Sequence, residues 1–350
     1  MPDQLLTHPQ LVHFYTQYLY PAYLWVKGGE PWFSLTLFFL ATGLMIHRFE
    51  ALENSGFQGT VLGTLIMPYC SGLSNLVFAW IMGKTYGNGT LVIENCMVNN
   101  VTNLTLLLGL PAMLWSLDVF PKSIGSTRKE KERLNTFRIN RLSVLLSLVA
   151  VGFFTGLLWA LTRDGMLDFN DGLVLTGVFL FWQVFHVFDV LKDNVQKNRS
   201  FSWFLPVDLM LILAAGYVIY TSIDNLVAWI PKTDQGILNY TMLGWLSGIL
   251  MVLPNALLAF YYAHRGRAEI VVSSQIGDGH ICIPLCIGVF ALFNPVRIPS
   301  FFDAGLYLIL GAAGLIFILL VLLRRIPRPV GVLLAGAYGY FIYKGFFSLI

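Results

Sequence analysis

Long apolar stretches separated by short polar segments run along the chain from about residue 32. Most hold about 20 residues, enough for an α-helix to cross a hydrocarbon core about 30 Å thick. The pattern predicts an all-α integral membrane protein with ten transmembrane helices. These predicted helices are residues 32–47, 57–83, 90–116, 140–161, 172–191, 203–222, 237–263, 269–292, 303–323 and 328–348. The second, third, seventh and eighth are long and contain polar positions.

Two regions, residues 69–109 and 251–288, share one polar pattern. Each begins with an Asn, Asn75 or Asn255, and has polar side chains about two dozen residues later. Those side chains recur every fourth residue, which places them on one helix face. They are Asn95, Asn99 and Asn103 in the first region and Ser274, Asp278 and Cys282 in the second. Interrupted apolar segments at matching places in two halves indicate the central site of a secondary transporter.

Proline and glycine predict where these helices are interrupted. Pro68 and Gly72 precede Asn75, and Pro254 immediately precedes Asn255. A proline inside a helix removes one backbone hydrogen bond. We therefore expect a helix break just before each of the two Asn residues.

The predicted helices divide into two sets of five. An odd number in each half means that the second half enters the membrane with the opposite orientation, which makes an inverted repeat. The chain is expected to contain an N-terminal interfacial lead-in, a first five-helix repeat, a cytoplasmic connector and a second five-helix repeat. Their bounds are residues 1–31, 32–191, 192–202 and 203–350.

Composition and charge agree with a membrane location. Hydrophobic residues make up 56% of the chain and charged residues 12%, whereas soluble domains have about 25% charged residues. The formal net charge of +3 gives no support for nucleic-acid binding. Most of the 22 Lys and Arg fall in alternate loops, and the positive-inside rule then puts both termini outside. The expected location is a plasma or inner membrane, with the lipid bilayer as partner and the oligomeric state open.

The histidines give no sign of an enzyme. The six His are scattered, without the spacing of a metal-dependent hydrolase or desaturase. We therefore expect no catalytic residues and no cofactor.

The polar positions of the two regions suggest an ion site with one carboxylate. The expected ligands are Asn75, Asn99, Asn103, Asn255, Asp278 and Cys282, and further candidates are Glu94, Ser71, Ser274 and His280. Calcium takes six to eight oxygens and usually several carboxylates. A site with one carboxylate suits a monovalent ion better, or a proton exchanging with one.

A softer metal site is an alternative. Imidazole and thiolate ligands suit transition metals, and Asp278, His280 and Cys282 lie close together in the sequence. His280 falls on the other side of an ideal helix from Asp278. It would join the site only if Pro284 broke the helix.

The repeated motifs resemble the cation/calcium exchanger superfamily, which contains sodium/calcium and proton/calcium antiporters. In that group each repeat reads roughly G-[TS]-S-x-P-E, followed later by G-N-x-x-G-S-N-x-x-N and an apolar run ending in Gly. Here residues 71–75 read SGLSN, 94–103 read ENCMVNNVTN, 253–256 read LPNA and 273–278 read SSQIGD. The order and spacing of these motifs carry the resemblance over most of the chain.

The resemblance implies a cation antiporter in which the first and sixth helices slide to open the site. It also implies that the acidic residue of each repeat has been replaced, by Asn75 in one half and Asn255 in the other. The transported ion stays open at this point among sodium, a proton, calcium and another divalent cation. Loss of both acids also leaves open a transport-inactive scaffold or sensor subunit of a membrane complex.

Overall fold

The computed structural model of the chain describes residues 31–54, 67–120, 128–197, 205–233 and 240–345, together with Gln17 and Tyr20. For parts of some helices, including residues 67–71, 128–140 and 185–197, it describes only the backbone. The predicted lead-in, residues 1–31, lies almost entirely outside the described residues.

The first half of the chain is helical over most of its described length. Its helices are α1 (Pro31–Asn54), α2 (Met67–Ile81), α3 (Gly89–Val101), α4 (Leu107–Trp115), α5 (Arg128–Leu161) and α6 (Phe169–Lys197). One π-helical turn, Met82–Tyr86, follows α2, and another, Thr102–Leu106, joins α3 to α4. A short 3-10 turn, Thr162–Asp164, ends α5.

The second half repeats this order of elements. Its helices are α7 (Leu205–Thr233), α8 (Leu243–His264), α9 (Ala268–Ile281), α10 (Ile287–Ala291), α11 (Phe302–Leu322) and α12 (Arg328–Gly345). A π-helical turn, Cys282–Cys286, joins α9 to α10. It corresponds to the turn between α3 and α4, so each half contains one rod of helix, π turn and helix.

Helices are found in the described part of every predicted range, and several extend further than predicted. Within the part of the chain that the structure describes, six helices are long and apolar enough to cross a membrane. They are Gly89–Trp115, Arg141–Asp164, Pro206–Ile230, Leu243–His264, Ala268–Ala291 and Phe302–Leu322. Helix α6 continues to Lys197, so the first part of the predicted connector is helical.

The predicted helix breaks before the two Asn residues are wrong. Helix α2 runs through Gly72 and Asn75 without interruption, and α8 contains Pro254 inside its length. The irregularities lie instead in the two rods. One π turn follows α3 in the first rod, and another follows α9 in the second rod. The turn in the second rod contains Pro284, where a missing backbone hydrogen bond favours a change of helical pitch.

The helices of the two halves pack in matching pairs. Helix α3 lies against α8, and correspondingly α9 lies against α2. In the same way α4 packs on α12 and α10 packs on α6, while α1 packs along α7 and α5 along α11. Exchanging each helix with its counterpart in the other half leaves this set of pairs unchanged.

Two close helix crossings depend on glycine. A Cβ atom placed on Gly331 of α12 would lie 2.6 Å from the carbonyl oxygen of Gly109 in α4. In the matching pair, a Cβ atom on Gly172 of α6 would lie 2.9 Å from the carbonyl oxygen of Gly288 in α10. Small residues let helix backbones approach where no lipid or side chain intervenes. The glycines therefore set how closely α12 packs on the first rod and α6 on the second.

Two short β contacts tie the loops together. Strand β1 (Met166–Leu167) pairs antiparallel with β2 (Val296–Arg297), with Met166 opposite Arg297. A single antiparallel bridge joins Leu117 to Ile326. These contacts link the loop between α5 and α6 to that between α10 and α11, and the loop after α4 to that before α12. If each loop is replaced by its counterpart in the other half, each of these two contacts takes the place of the other.

The core lies around the first rod. Every residue from Leu91 to Val101 is buried, including Glu94, Asn95 and Asn99. Helix α11 packs against this stretch, where a Cβ on Gly305 would lie 3.5 Å from the sulfur of Met97. Buried polar side chains in a membrane protein need partners or a function, so this rod locates the candidate site.

The glycine crossing of α4 and α12 can be tested with a matched pair of substitutions on one helix. In Gly331→Ala the new methyl group meets backbone atoms 2.6 and 2.8 Å away, whereas a Cβ at Gly336 meets nothing within 4 Å. Overpacking of this kind costs about 1–3 kcal/mol. We expect Gly331→Ala to lower the melting temperature of the purified protein and Gly336→Ala to leave it unchanged or raise it. Equal melting temperatures for the two variants would contradict the packing described.

Candidate functional site: an amide and carboxylate cluster

A buried carboxylate lies where three helical segments meet. Asp278, near the end of α9, has no exposed surface. Its Oδ2 accepts one hydrogen bond from Nδ2 of Asn103 at 2.8 Å and another from Nδ2 of Asn255 at 2.5 Å. Asn103 belongs to the π turn after α3, and Asn255 belongs to α8. The carboxylate is therefore held by one amide from each half of the chain.

A third amide extends this arrangement along the first rod. Nδ2 of Asn103 also donates to Oδ1 of Asn99, at 2.6 Å. The central cluster, by which we mean Asn99, Asn103, Asn255 and Asp278, is thus connected through shared hydrogen bonds. Amides are neutral, so they orient the carboxylate without cancelling its charge.

One amide oxygen beside the Asp278 carboxylate is left for a ligand. Oδ1 of Asn103 has no hydrogen-bond partner among the described residues, and neither has the amide nitrogen of Asn99. Buried polar atoms normally find partners because leaving them unpaired costs about 1–3 kcal/mol. Unpaired amide oxygens beside a carboxylate make a set of ligands suited to a hard cation.

Asn75 lies on the neighbouring helix α2 with its amide unengaged. It is fully buried, and neither its nitrogen nor its oxygen has a partner among the described residues. Helix α2 packs against α9, and a Cβ on Gly72 would come within 2.8 Å of Ile281, about one turn beyond Asp278. The small residue at position 72 thus lets the helix carrying Asn75 approach the helix carrying the carboxylate.

The π turns follow directly from the cluster. One contains Asn103, and the other begins four residues after Asp278. A π turn widens the helix by one residue, and such turns are frequent at functional sites. Both rods therefore change their helical geometry at the level of the cluster.

Cys282 has different neighbours from those expected. Its thiol forms side-chain contacts with Cys96, Cys286 and Asn100. All three of these cysteines are buried and free. Although Cys282 follows Asp278 by one turn, it forms part of a thiol group packed between the two rods.

The structure argues against the alternative of a soft-metal site. The ring of His280 faces α5 and α6, where Nε2 lies 2.9 Å from the carbonyl oxygen of Ser147 and the ring packs edge-on against Phe154 and Trp182. Among the described residues no group of three or more His, Cys, Asp or Glu could hold a metal ion. The π turn at Pro284 begins after His280, so it does not rotate this ring toward Asp278.

Two of the remaining candidates, Ser274 and Glu94, make no hydrogen bond to the central cluster within the described part of the chain. Ser274 donates to the carbonyl oxygen of Val271 on its own helix, at 3.1 Å. Glu94 is buried in the middle of α3, against Gly244 of α8. The side chain of Ser71 is outside the described residues.

Two contacts of the polar stripe on α3 were not predicted from the sequence. Asn95 donates to Oγ of Ser247 at 3.0 Å and to the sulfur of Met251 at 3.5 Å. Ser247, Met251 and Asn255 follow one another at four-residue intervals on α8. This spacing indicates one helix face, but the middle position is a methionine, which does not stand out among the apolar residues of α8.

Helices α1 and α7 are joined near both ends. Nδ2 of Asn225 donates to Oγ of Ser34 at 2.5 Å, and Arg48 lies 3.5 Å from Asp208. Both Ser34 and Asn225 are buried. Asp208 lies in the first turn of α7.

Comparison with known proteins agrees with this architecture. The sequence matches the family described as sodium/calcium exchanger protein over residues 32–188 and 207–346. The inner membrane protein YrbG of Escherichia coli (strain K12) is 24% identical over 298 residues, covering 81% of this chain and 85% of YrbG.

Solved structures with the same fold include the sodium-calcium exchanger NCX_Mj. Soaked with 100 mM Na+ and 10 mM Sr2+, it is 16% identical and superposes with a TM-score of 0.62 over 91% of this chain and 98% of that chain. Soaked with 2.5 mM Na+ and 0.1 mM Ca2+, it is 18% identical with a TM-score of 0.60, over 89% and 96%. The family match covers most of the sequence, and the fold agrees with it. The chain belongs to the sodium/calcium exchanger protein family and is a multi-pass membrane transporter of cations.

Proposed function

We propose that the protein is a secondary antiporter that exchanges sodium for protons at the central cluster. The observation that carries this proposal is the single carboxylate of Asp278, held by the amides of Asn103 and Asn255. Asn75 and Asn99 complete the set of oxygen ligands. One carboxylate balances one positive charge, and in a membrane interior an unbalanced charge is costly.

Calcium fits this ligand set less well than sodium does. A calcium ion bound by Asp278 and neutral amides would keep one uncompensated charge in a medium of low dielectric constant. The fully buried positions of Asn75 and Asn255 carry amides, where the resemblance leads us to expect acids. The substitution of both acids therefore supports a monovalent cation.

Competition for one carboxylate provides the coupling. When Asp278 is ionised it attracts sodium, and when it is protonated it does not. With sodium or a proton bound, the cluster is neutral and can change from access on one side of the membrane to access on the other. The bare carboxylate resists this change because its charge would be enclosed in a closed, dry site. Sodium and protons thus move in opposite directions through the same ligands.

The matching helix pairs support a ten-helix arrangement of two five-helix repeats of opposite orientation. Packing pairs, glycine crossings and loop bridges all exchange when the halves are swapped. Two equivalent halves around one site supply two related access routes. Helices α1 and α7, which pack along each other and are tied near both ends, are the expected sliding elements. The location of the related YrbG supports an inner membrane.

Asp278→Asn tests the coupling directly. The substitution keeps the shape of the side chain and removes its charge. We expect sodium uptake into proteoliposomes driven by a proton gradient to fall to background. Asp118→Asn, a change of an exposed loop carboxylate, is the control and should transport normally. Uptake that survives Asp278→Asn would contradict the proposal, and a wild type that moves no sodium, potassium or calcium would favour a scaffold or sensor role.

Restoring an acid on α2 should change the ion preference. Asn75→Asp places a second carboxylate at a buried position whose amide has no partner among the described residues. We expect calcium to raise the melting temperature of Asn75→Asp but not of the wild type, because a bound ion stabilises the folded state by about 2.7 kcal/mol at 100 times its dissociation constant.

The control for this change is Asn75→Ser, which removes the amide without adding a charge. It should show no calcium response. A wild type that calcium already stabilises as strongly as Asn75→Asp would contradict the monovalent assignment.

A further inference from the structure

A second polar group lies on the contact between α3 and α8, toward the ends at which both helices begin. Asn95 precedes Asn99 by one helical turn, about 6 Å, and binds Ser247 and Met251 of α8. On α8, Ser247 and Met251 precede Asn255 by about two helical turns and one helical turn. Two polar stripes therefore run side by side along α3 and α8 toward the central cluster.

Glu94 lies at the outer end of these stripes. Its side chain is only 5% exposed, and its Oε2 has no hydrogen-bond partner among the described residues. A Cβ on Gly244 would come within 2.5 Å of the Glu94 Cβ. The glycine thus leaves the space that the glutamate occupies, against the first turn of α8. The beginning of a helix carries a partial positive charge, which favours a carboxylate nearby.

Asn95 adds a second unengaged oxygen beside this carboxylate. Its Nδ2 is used by Ser247, while its Oδ1 has no partner among the described residues. Glu94 and Asn95 are consecutive and face successive turns of α8, at Gly244 and Ser247. The Ser247 hydroxyl donates to the carbonyl oxygen of Gly244 at 3.0 Å, and a Cβ on Gly244 would also meet Oε2 of Glu94. The Glu94 carboxylate and the Ser247 hydroxyl, which binds Asn95, therefore both lie beside Gly244.

The other half has no counterpart for Glu94. Pairing Asn95 with Ser274 and Asn99 with Asp278 pairs Glu94 with Ser273. The hydroxyl of Ser273 donates to the carbonyl oxygen of Ile270 on its own helix, at 3.2 Å. The extra carboxylate therefore occurs on only one of the two routes to the central cluster.

We propose that Glu94, Asn95 and Ser247 form a second sodium site on the route from the membrane face where α3 and α8 begin. This inference rests on the proposed sodium transport. The site takes a partly dehydrated sodium ion, whose charge balances the buried carboxylate, and passes it one turn further to Asn99 and Asp278. It raises the sodium affinity of one access route and leaves the other unchanged.

Sodium uptake measured from each face separates this role from a structural one. Right-side-out and inverted membrane vesicles from cells expressing the full chain, loaded with radioactive sodium or diluted into it, give the half-saturating sodium concentration for each face. We expect Glu94→Gln to raise this concentration about tenfold, the effect of about 1.4 kcal/mol of binding free energy. The increase should occur only from the face where α3 and α8 begin. The maximal rate and the value from the opposite face should stay as in the wild type.

Two further variants keep the test decisive. Glu94→Asp retains the charge and should recover most of the affinity. Glu269→Gln alters a carboxylate near the start of α9, paired with Arg267 at 3.3 Å, and should leave the values from the α3 and α8 face unchanged. Equal changes from both faces, or none, with Glu94→Gln would overturn this inference while leaving sodium transport intact. A wild type without sodium uptake would overturn the proposed function and this inference with it.

Discussion

The arrangement of this protein depends on the ionisable carboxylate of Asp278 within the hydrocarbon layer. A charge at that depth is costly unless polar groups or a counter-ion offset it. Two amide N–H groups, from Asn103 and Asn255, do part of this by donating to the same carboxylate oxygen. Since the two donors belong to different halves, α3, α8 and α9 must approach one another closely. Gly248 permits part of this approach, since a Cβ there would lie 2.9 Å from the carbonyl oxygen of Asn95.

The two halves share a scaffold and differ in chemistry. Each has a rod with a π turn, and each rod is held by an outer helix through a glycine crossing. On the first rod the stripe consists of amides, whereas on the second it contains Asp278 followed by the thiol of Cys282. One charge in an otherwise neutral set of ligands is sufficient for exchange by competition. In the proposed mechanism, Glu94 makes the two access routes unequal, which a symmetric pair of repeats could not do.

The sequence predicted the helical architecture because bilayer thickness imposes a length on every apolar run. It also predicted that Asn99, Asn103 and Asp278 would face the site, since four-residue spacing is a local property of a helix. The structure brings these three residues together with Asn255. Their role in binding an ion is the proposal made here.

Features that depend on distant parts of the chain could not be predicted. Ser247 is 152 residues from Asn95, and no local pattern reports which helices will pack together. The break expected at Pro254 did not occur because a helix can tolerate one lost hydrogen bond when its neighbours support it. The π turn at Thr102–Leu106 has no proline to signal it. Cys282 shares a helix face with Asp278, and that spacing could not show that its thiol would also contact Cys96 and Asn100 of the first rod.

The central claim is that sodium and a proton compete for one carboxylate. Calorimetric titration of the purified full-length protein with sodium, in two buffers of different ionisation enthalpy, measures the protons released for each ion bound. The account predicts that sodium binding to the wild type releases protons at a pH where Asp278 is protonated, and that Asp278→Asn neither binds sodium nor releases protons. Sodium binding without proton release over the whole pH range, or proton release that persists in Asp278→Asn, would contradict it.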